Sequence, residues 1–280
     1  MQSKVLVLGS TGLLGSAFKY LSRNYKYDFL FPSRKELDLL NIDDLEKFIL
    51  LHKPDFVINC AGHNDVKAIE VNDEEFDLAL NLNAYLPFEL SKLSKKYKFR
   101  LLTFSSDYVF DGQKKSYRES DTQNPINRYG LTKSIGEQLA LSLDSKVSIF
   151  RTAWLFGPFK QNFVSFMVNR ALENQEIKVV NDQFGSPTFT IDIAQYVLDN
   201  IDSHDNGVFH LVNDGSLTWF ELLDKSFSIL SLGNDIVGLS TKDFSSTVNR
   251  PLNSVLNSYH IKKLRKLELA LQDYLINYEL

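Results

Sequence analysis

The chain has 280 residues, a formal net charge of −4 and 44% hydrophobic residues, which is ordinary for a globular protein. This charge gives no sign of a nucleic-acid or anionic-membrane partner. No apolar run reaches the roughly 18 residues of a membrane span. A single cysteine excludes an internal disulfide and fits a cytoplasmic protein. The five histidines form no ligand pair, so we expect no metal site.

The chain begins with a predicted strand, a glycine-rich turn and a helix. Residues 4–8 are continuously apolar, as expected of a strand buried on both faces. Gly9, Gly12 and Gly15 follow, and apolar residues then recur at helical spacing. This order predicts a dinucleotide-binding loop, because glycines let the backbone approach a pyrophosphate and a helix N-terminus offers it amide hydrogens. The alternative is an ordinary strand-to-helix turn.

Strands and helices then alternate along the first half of the chain. Further strands are predicted at about residues 27–31, 55–59, 100–104 and 146–150, with helices at 42–52, 73–97 and from 128. Later segments read as helices at 162–172, 190–201, 217–230 and 261–278, and as strands at 177–180 and 207–211. We therefore predict an α/β fold with a doubly wound parallel sheet (Rossmann) over residues 1–157. Residues 158–280 would form a smaller C-terminal substrate-binding lobe, partly interleaved with the first part.

The end of the second predicted strand lies where the adenosine ribose of a dinucleotide would lie. Ser33 and Arg34 stand there, and no acid lies between Phe29 and Lys35. An acid at this place suits NAD, whereas an arginine fork suits a 2′-phosphate. The segment favours NADPH as the cofactor, although NADH stays possible. The alternative is that Arg34 is only a solvated loop residue. Asp38 either caps a turn or accepts a hydrogen bond from adenine.

Polar residues also follow the third, fourth and fifth strands. The Ala-Gly-His-Asn loop at residues 61–64 follows Cys60, which reads as a packed strand residue. Ser106 can hydrogen-bond a substrate oxygen, or it can satisfy the backbone of a serine-rich turn. Trp154 can wall off a ligand, although its spacing alone favours a core position.

Tyr129 and Lys133 lie four residues apart on a predicted helix that Asn127 would cap, so they share a face. A lysine ammonium beside a phenol favours the phenolate, and we expect it to lower the pKa of Tyr129. A tyrosine tuned in this way can exchange a proton with an alcohol or a ketone. A solvated surface pair is the alternative for the motif alone.

Six motifs occur in one order along the chain. They are the glycine loop at 9–15, Asp-Tyr-Val-Phe-Asp-Gly at 107–112, Tyr-Gly-x-x-Lys at 129–133, Arg-Thr-x-Trp at 151–154, Asp-Gln-x-Gly-x-Pro-Thr at 182–188 and Arg-Pro-x-Asn-Ser at 250–254. With these motifs the chain resembles an extended short-chain dehydrogenase/reductase. More narrowly, it resembles the dTDP-4-dehydrorhamnose reductase family, from residue 9 to about residue 256.

The resemblance implies roles for individual residues. Tyr129 would protonate the C4 oxygen of the substrate while a hydride arrives at C4, and Lys133 would hold the cofactor ribose and tune Tyr129. Ser106 would assist the proton transfer, and Asp107 and Trp154 would contact the sugar or its nucleotide. The expected cofactor-binding set comprises Gly9, Ser10, Thr11, Gly12, Leu13, Leu14, Gly15, Ser33, Arg34, Asp38, Leu39, Cys60, Ala61, Gly62, His63, Asn64, Tyr129 and Lys133.

We therefore expect NAD(P)H-dependent reduction of dTDP-4-dehydro-β-L-rhamnose, for surface polysaccharide synthesis. The alternatives are a reductase or epimerase of a UDP-, GDP- or CDP-linked sugar, and a non-catalytic nucleotide-binding subunit like the regulatory subunit of methionine adenosyltransferase. The intact set of Ser106, Tyr129 and Lys133 favours an enzyme. Asn64 and Lys67 replace the threonine and aspartate usual in the family, which leaves the sugar open. The sequence also leaves open whether the protein forms a homodimer.

Overall fold

Parallel strands form the central sheet of the computed structural model, which describes residues 2–143, 145–203, 205–244 and 246–278. The strands are β1 (Lys4–Leu8), β2 (Asp28–Leu30), β3 (Phe56–Asn59), β4 (Arg100–Ser106), β5 (Val147–Thr152), β6 (Leu155–Phe156), β7 (Ile177–Val180), β8 (Phe184–Gly185), β9 (Thr188–Phe189), β10 (Gly207–His210), β11 (Asn213–Asp214), β12 (Leu217–Thr218), β13 (Ile236–Leu239) and β14 (Leu264–Lys266). The six-stranded sheet has the order β2-β1-β3-β4-β5-β10, with every pairing parallel. This is the predicted doubly wound sheet.

Helices cover both faces of the sheet. They are α1 (Leu13–Leu21), α2 (Ile42–His52), α3 (Val66–Val71), α4 (Asp73–Ala79), α5 (Leu86–Tyr97), α6 (Arg128–Leu141), α7 (Phe163–Leu172), α8 (Thr190–Asp199), α9 (Trp219–Leu230) and α10 (Leu267–Asn277). A π-helix over Leu80–Tyr85 joins α4 to α5, and short 3₁₀ turns occur at Ser22–Asn24 and Asp107–Val109.

The alternation of side chains along β1 explains why its sequence is continuously apolar. Val5 and Val7 pack into the core beneath α1 and α8, whereas Leu6 and Leu8 pack into the core beneath α2 and α5. All four side chains are fully buried. Both faces of a parallel strand are therefore removed from water by helices, as the sequence pattern predicts.

The order of the strands locates the functional edge of the sheet. Strand β1 pairs with β2 on one side and with β3 on the other, so the chain changes direction across the sheet between β1 and β3. Ligands of doubly wound sheets bind at the carboxyl ends of the strands beside such a point. The glycine loop after β1 and the 60–64 loop after β3 meet there.

The predicted elements agree with the structure in most of the chain, and three differences concern the helices. The helix predicted over 73–97 contains the π-helical turn at 80–85, and a helix at 66–71 was not predicted. The helix predicted over 261–278 begins only at Leu267, because residues 264–266 pair with β11 as a strand. Local periodicity does not reveal a pairing with a partner some 50 residues away.

The later part of the chain returns to the central sheet. Strand β10 completes the sheet beside β5, and α8 packs against α1. The division at residue 157 stays a prediction. Across the ranges that the structure describes, no helix combines the length and the apolar composition needed to span a membrane.

Candidate active site

The glycine loop forms the floor of a cavity of about 310 Å³, the cofactor cavity. Gly9 has φ +71°, and a Cβ atom at this position would lie 2.5 Å from the backbone nitrogen of Ala61. Gly12 precedes α1, and no side chain caps the first turn of that helix. Amide hydrogens at an uncapped helix N-terminus are suited to bind a pyrophosphate. The residues present therefore fit a dinucleotide.

The other end of the cofactor cavity is lined by Arg34, Asp38 and Leu39. Arg34 is exposed, whereas the Ser33 hydroxyl donates to the Glu36 carboxylate at 2.7 Å. The Asp38 carboxylate accepts a hydrogen bond from the backbone nitrogen of Leu40 at 3.1 Å, so it stabilises a turn here. Arg34 thus offers a cation at this end of the cavity, while the Ser33 side chain is engaged by Glu36.

A second cavity of about 650 Å³, the catalytic cavity, adjoins the first through Gly12, Cys60, Ala61 and Gly62, which line both. The structure brings the predicted catalytic and substrate residues together on its wall. They are Ser106, Asp107, Tyr129, Lys133 and Trp154, with Leu13, Leu14 and Asn64 of the cofactor set. Leu13 and Leu14 lie in the first turn of α1, Tyr129 and Lys133 in α6, and the others at or after the ends of β3, β4 and β5.

Tyr129 is held at the start of α6 beside the end of β4. Asn127 caps the helix, since its side chain accepts a hydrogen bond from the backbone nitrogen of Gly130 at 2.8 Å. The rings of Tyr108 and Tyr129 meet edge to face, with their centroids 5.7 Å apart. The position of the phenol is therefore fixed by both the helix and the turn after β4.

Burial raises the pKa of Tyr129 to about 12, although its hydrogen bond with the Ser106 side chain acts in the opposite direction. The expectation that Lys133 lowers this pKa is wrong for the protein by itself, because the loss of water around the phenol outweighs the neighbouring groups. Tyr129 is therefore a neutral phenol at physiological pH, which is the form that can donate a proton.

Burial also lowers the pKa of Lys133, to about 8, and the negative charge of Glu137 partly offsets this effect. The Lys133 ammonium donates to the backbone oxygen of Phe104 at 3.3 Å. A Cβ atom on Gly62 would lie 3.2 Å from Lys133 Nζ, so the lysine lies directly beside the loop that joins the two cavities. It can thus reach a ligand that spans both.

Ser106 and Asp107 form a hydrogen-bonded pair at the end of β4. The Ser106 hydroxyl donates to Asp107 Oδ1 at 3.0 Å, and the Ser254 hydroxyl donates to Asp107 Oδ2 at 2.5 Å. Burial raises the pKa of the Asp107 carboxyl to about 6 in spite of these hydrogen bonds. The 250–254 segment is thereby tied to the catalytic cavity.

Three residues of the predicted cofactor set line neither cavity: Gly15, Ser33 and His63. Gly15 lies behind the loop, where a Cβ atom would be 2.2 Å from the Gly9 oxygen. The backbone of His63 is held by the Asn83 side chain at both its nitrogen and its oxygen, at 2.9 and 2.8 Å. Its imidazole Nε2 lies 2.6 Å from the Glu75 carboxylate. Contact of Gly15, Ser33 and His63 with a cofactor stays a prediction.

Two other predictions about side-chain position are corrected by the structure. Trp154 is not a core residue, because its partly exposed indole lines the catalytic cavity. Cys60 lies one residue beyond the end of β3, where it lines both cavities. Among the described residues, no group of three or more His, Cys, Asp or Glu side chains is arranged to hold a metal ion.

Comparison with known proteins identifies the family of the chain. A family model described as the RmlD substrate binding domain matches residues 3–278. The chain belongs to this family. The resemblance inferred from the six motifs is thus confirmed.

Known proteins are similar to this chain over 80% or more of their own length. The spore coat polysaccharide biosynthesis protein SpsK of Bacillus subtilis is 31% identical over 282 residues, which covers 98% of this chain and 97% of that protein. A dTDP-4-keto-6-deoxy-D-glucose reductase of Streptomyces niveus is 34% identical over 232 residues, covering 82% and 80%. A crystal structure of a dTDP-4-dehydrorhamnose reductase of Bacillus anthracis in complex with NADP matches with a TM-score of 0.94 and 31% identity, covering 99% and 100%.

Several residues of the catalytic cavity of this RmlD-family chain were missed by sequence reasoning. Phe163 and Trp219 line it from the starts of α7 and α9, together with the 160–162 segment. Asn83, which is 2% exposed, supports the cavity from the π-helix. A π-helical turn often marks a functional site, but the sequence around Asn83 reads as an uninterrupted helix. Trp219 likewise follows no recognisable motif.

Proposed function

We propose that this protein is an NADPH-dependent 4-ketoreductase of a dTDP-linked 6-deoxy sugar. The proposed reaction converts dTDP-4-dehydro-β-L-rhamnose to dTDP-L-rhamnose, for surface polysaccharide synthesis. The observation that carries the proposal is the meeting of Ser106, Tyr129 and Lys133 on one cavity that adjoins the glycine-loop cavity. The names of the relatives supply the nucleotide and the 6-deoxy sugar.

The proposed mechanism uses each of these side chains at a stated step. NADPH, when bound, supplies a hydride to C4 of the sugar. Tyr129, a neutral phenol with a pKa raised to about 12, donates its proton to the C4 oxygen, and the Ser106 hydroxyl then turns from Asp107 to donate a hydrogen bond to the phenolate left behind. The Lys133 cation holds the cofactor ribose and stabilises the phenolate, since an opposite charge nearby favours the ionised form.

The substrate is held by further residues of the catalytic cavity in this proposal. Asp107 accepts hydrogen bonds from the sugar hydroxyls, and Trp154 packs against an apolar face of the sugar or the base. Arg34 binds the 2′-phosphate of NADPH at the far end of the cofactor cavity. The free thiol of Cys60 supports a cytoplasmic setting.

The test is an assay of the purified protein with a panel of 4-keto-6-deoxy sugar nucleotides. We expect NADPH to be oxidised with the dTDP-linked L-sugar, with stoichiometric formation of dTDP-L-rhamnose and with Tyr129→Phe as the inactive control. Faster turnover of a UDP-, GDP- or CDP-linked sugar would replace the proposed substrate by that one. Binding of NADPH without turnover of any member of the panel would favour a non-catalytic subunit. Gel filtration of the same preparation would establish whether a homodimer forms.

A further inference from the structure

The two tryptophans of the sequence stack on each other at the wall of the catalytic cavity. The ring centroids of Trp154 and Trp219 are 3.6 Å apart, and their planes differ by 4°. Phe163 packs on the same cluster, with its ring centroid 4.4 Å from that of Trp219. One face of the Trp154 indole is therefore covered by protein, and a ligand can reach only the part of the indole that Trp219 leaves uncovered.

The backbone of Trp154 shows that this indole is held in place against a conformational cost. Its φ is +47°, in the left-handed region that bulky side chains rarely occupy. Such a conformation persists only where the surroundings determine it, and it occurs preferentially at functional sites. The residue lies between β5 and β6, so the strain occurs directly at the end of a central strand.

Gly185 forms the second side of the enclosure around Trp154. A Cβ atom on Gly185 would lie 2.3 Å from Trp154 Cε2 and 2.7 Å from its Nε1, so only glycine leaves room for the indole in this position. Gly185 itself does not line the catalytic cavity. It lies against the Nε1–Cε2–Cζ2 side of the Trp154 indole, whereas Trp219 stacks on the rings face to face.

A single piece of secondary structure joins the two sides of this enclosure. Gly185 in β8 pairs with Leu217 in β12, and α9 begins two residues later with Trp219. Thr218 caps that helix in a capping box with Glu221: Thr218 Oγ1 accepts from the Glu221 nitrogen at 3.1 Å, and the Thr218 nitrogen donates to the Glu221 carboxylate at 2.7 Å. Gly185 and Trp219 are thus fixed relative to each other.

We propose that Gly185 and Trp219 form a socket that sets the position of the Trp154 indole for substrate binding. They are positioning residues, which act through Trp154. The inference deepens the proposed function and rests on its assignment of Trp154 to the substrate. The socket presents an apolar surface on the cavity that Tyr129 also lines, so that a sugar nucleotide meets a preformed wall.

Kinetic measurements on Gly185→Ala and Trp219→Leu test the socket from its two sides. We expect each variant to raise KM for the sugar nucleotide about three- to tenfold, the worth of one aromatic contact, with kcat and the Kd of NADPH within twofold of wild type. The double variant should show little more than either single one, because both act on the same ring. Gly233→Ala is the matched control, since its Cβ atom would meet nothing within 4 Å.

Circular dichroism provides a second measurement that does not depend on turnover. The stacked indoles should give an exciton band in the wild type that is lost in Trp219→Leu and weakened in Gly185→Ala. Trp219→Phe keeps an aromatic ring on the face of Trp154, and its KM should stay close to that of the wild type. Thermal melts of all variants identify any that fail to fold. If Gly185→Ala does not fold, the comparison of KM and of the exciton band between Trp219→Phe and Trp219→Leu tests the socket.

Two results would overturn the socket. One is a Gly185→Ala variant with the wild-type exciton band and the wild-type KM. The other is a raised KM in Trp219→Leu beside a folded Gly185→Ala variant that keeps the wild-type KM, which would mean that Trp219 contacts the substrate directly. Failure of the proposed function looks different: the wild type itself then turns over no sugar nucleotide, while the exciton bands still report whether Gly185 and Trp219 fix the indole.

Discussion

Glu137 and Arg151 form a buried, forked ion pair behind the catalytic helix. Arg151 Nε donates to the two Glu137 oxygens at 2.9 and 3.1 Å, and Nη2 donates to Oε2 at 2.7 Å. The side chains are 2% and 3% exposed, respectively. Glu137 lies one turn beyond Lys133 on α6, and Arg151 lies near the end of β5. The pair therefore fastens the helix that carries Tyr129 and Lys133 to the central sheet.

Glu137→Gln should lower the free energy of unfolding by about 3 kcal/mol, because it leaves the Arg151 charge buried without its counter-ion. Urea denaturation followed by circular dichroism measures this loss. Glu268→Gln is the matched control: its pair with Lys225 spans 3.4 Å with both side chains largely exposed, and its removal should cost less than about 1 kcal/mol. Equal losses in the two variants would show that the buried pair has no special role.

Tyr129→Phe should reduce kcat by about 100- to 10,000-fold, the usual worth of a general acid. The phenylalanine keeps the ring against Tyr108 and loses only the hydroxyl, so the Kd of NADPH should stay within a few-fold of wild type. Steady-state kinetics and a fluorescence titration with NADPH measure the two quantities. Turnover within a few-fold of wild type would exclude Tyr129 as the proton donor.

The activity of the wild type should fall as the pH rises through about 8. Burial lowers the pKa of Lys133 to about 8, so the ammonium loses its proton there, and a neutral amine cannot stabilise the Tyr129 phenolate. In Lys133→Met, kcat should be low at every pH, without this alkaline limb, and NADPH should bind more weakly. A pH profile of kcat for both proteins makes the comparison. An alkaline limb of the same shape in the variant would assign it to another group.

Arg34→Ala should weaken the binding of NADPH and leave the binding of NADH unchanged. The exposed guanidinium is partly screened by water, so we expect about 1–2 kcal/mol, or roughly five- to thirtyfold in the kcat/KM ratio of the two cofactors. The measurement is made at low salt, because screening by ions weakens a contact between charges at the surface. Lys35→Ala is the control, since that neighbouring cation does not line the cofactor cavity. Should Arg34→Ala leave the ratio unchanged, Glu36 becomes the residue to test.

The stability of the protein should depend on the ionisation of Asp107. Its pKa in the fold is about 6, above the ordinary value of 3.8, so the folded state binds the proton more tightly. This contribution is present below about pH 4 and is lost as the pH rises through about 6. Between about pH 7 and pH 4, wild type should therefore gain about 2 kcal/mol relative to Asp107→Asn. A constant difference across that range would place the Asp107 pKa near its ordinary value.

The sequence by itself determined the elements whose signals are local. The apolar run of β1, the turn at Gly9 and Gly12 and the start of α1 are specified by neighbouring residues, and the structure agrees with the prediction there. The same holds for the Asn127 cap and for the placement of Tyr129 and Lys133 on one face of α6. Each of these features depends on spacing, on backbone freedom or on one hydrogen bond within a few residues.

Only the tertiary structure decided the properties that depend on burial and on distant partners. The pKa of Tyr129 rises because other segments exclude water from the phenol, and a four-residue spacing to Lys133 carries no information about that exclusion. The position of Trp154 depends on Gly185 and Trp219, which approach it through the pairing of β8 with β12. Water exclusion and ring stacking are set by the three-dimensional approach of segments far apart in the chain, so local patterns could not reveal them.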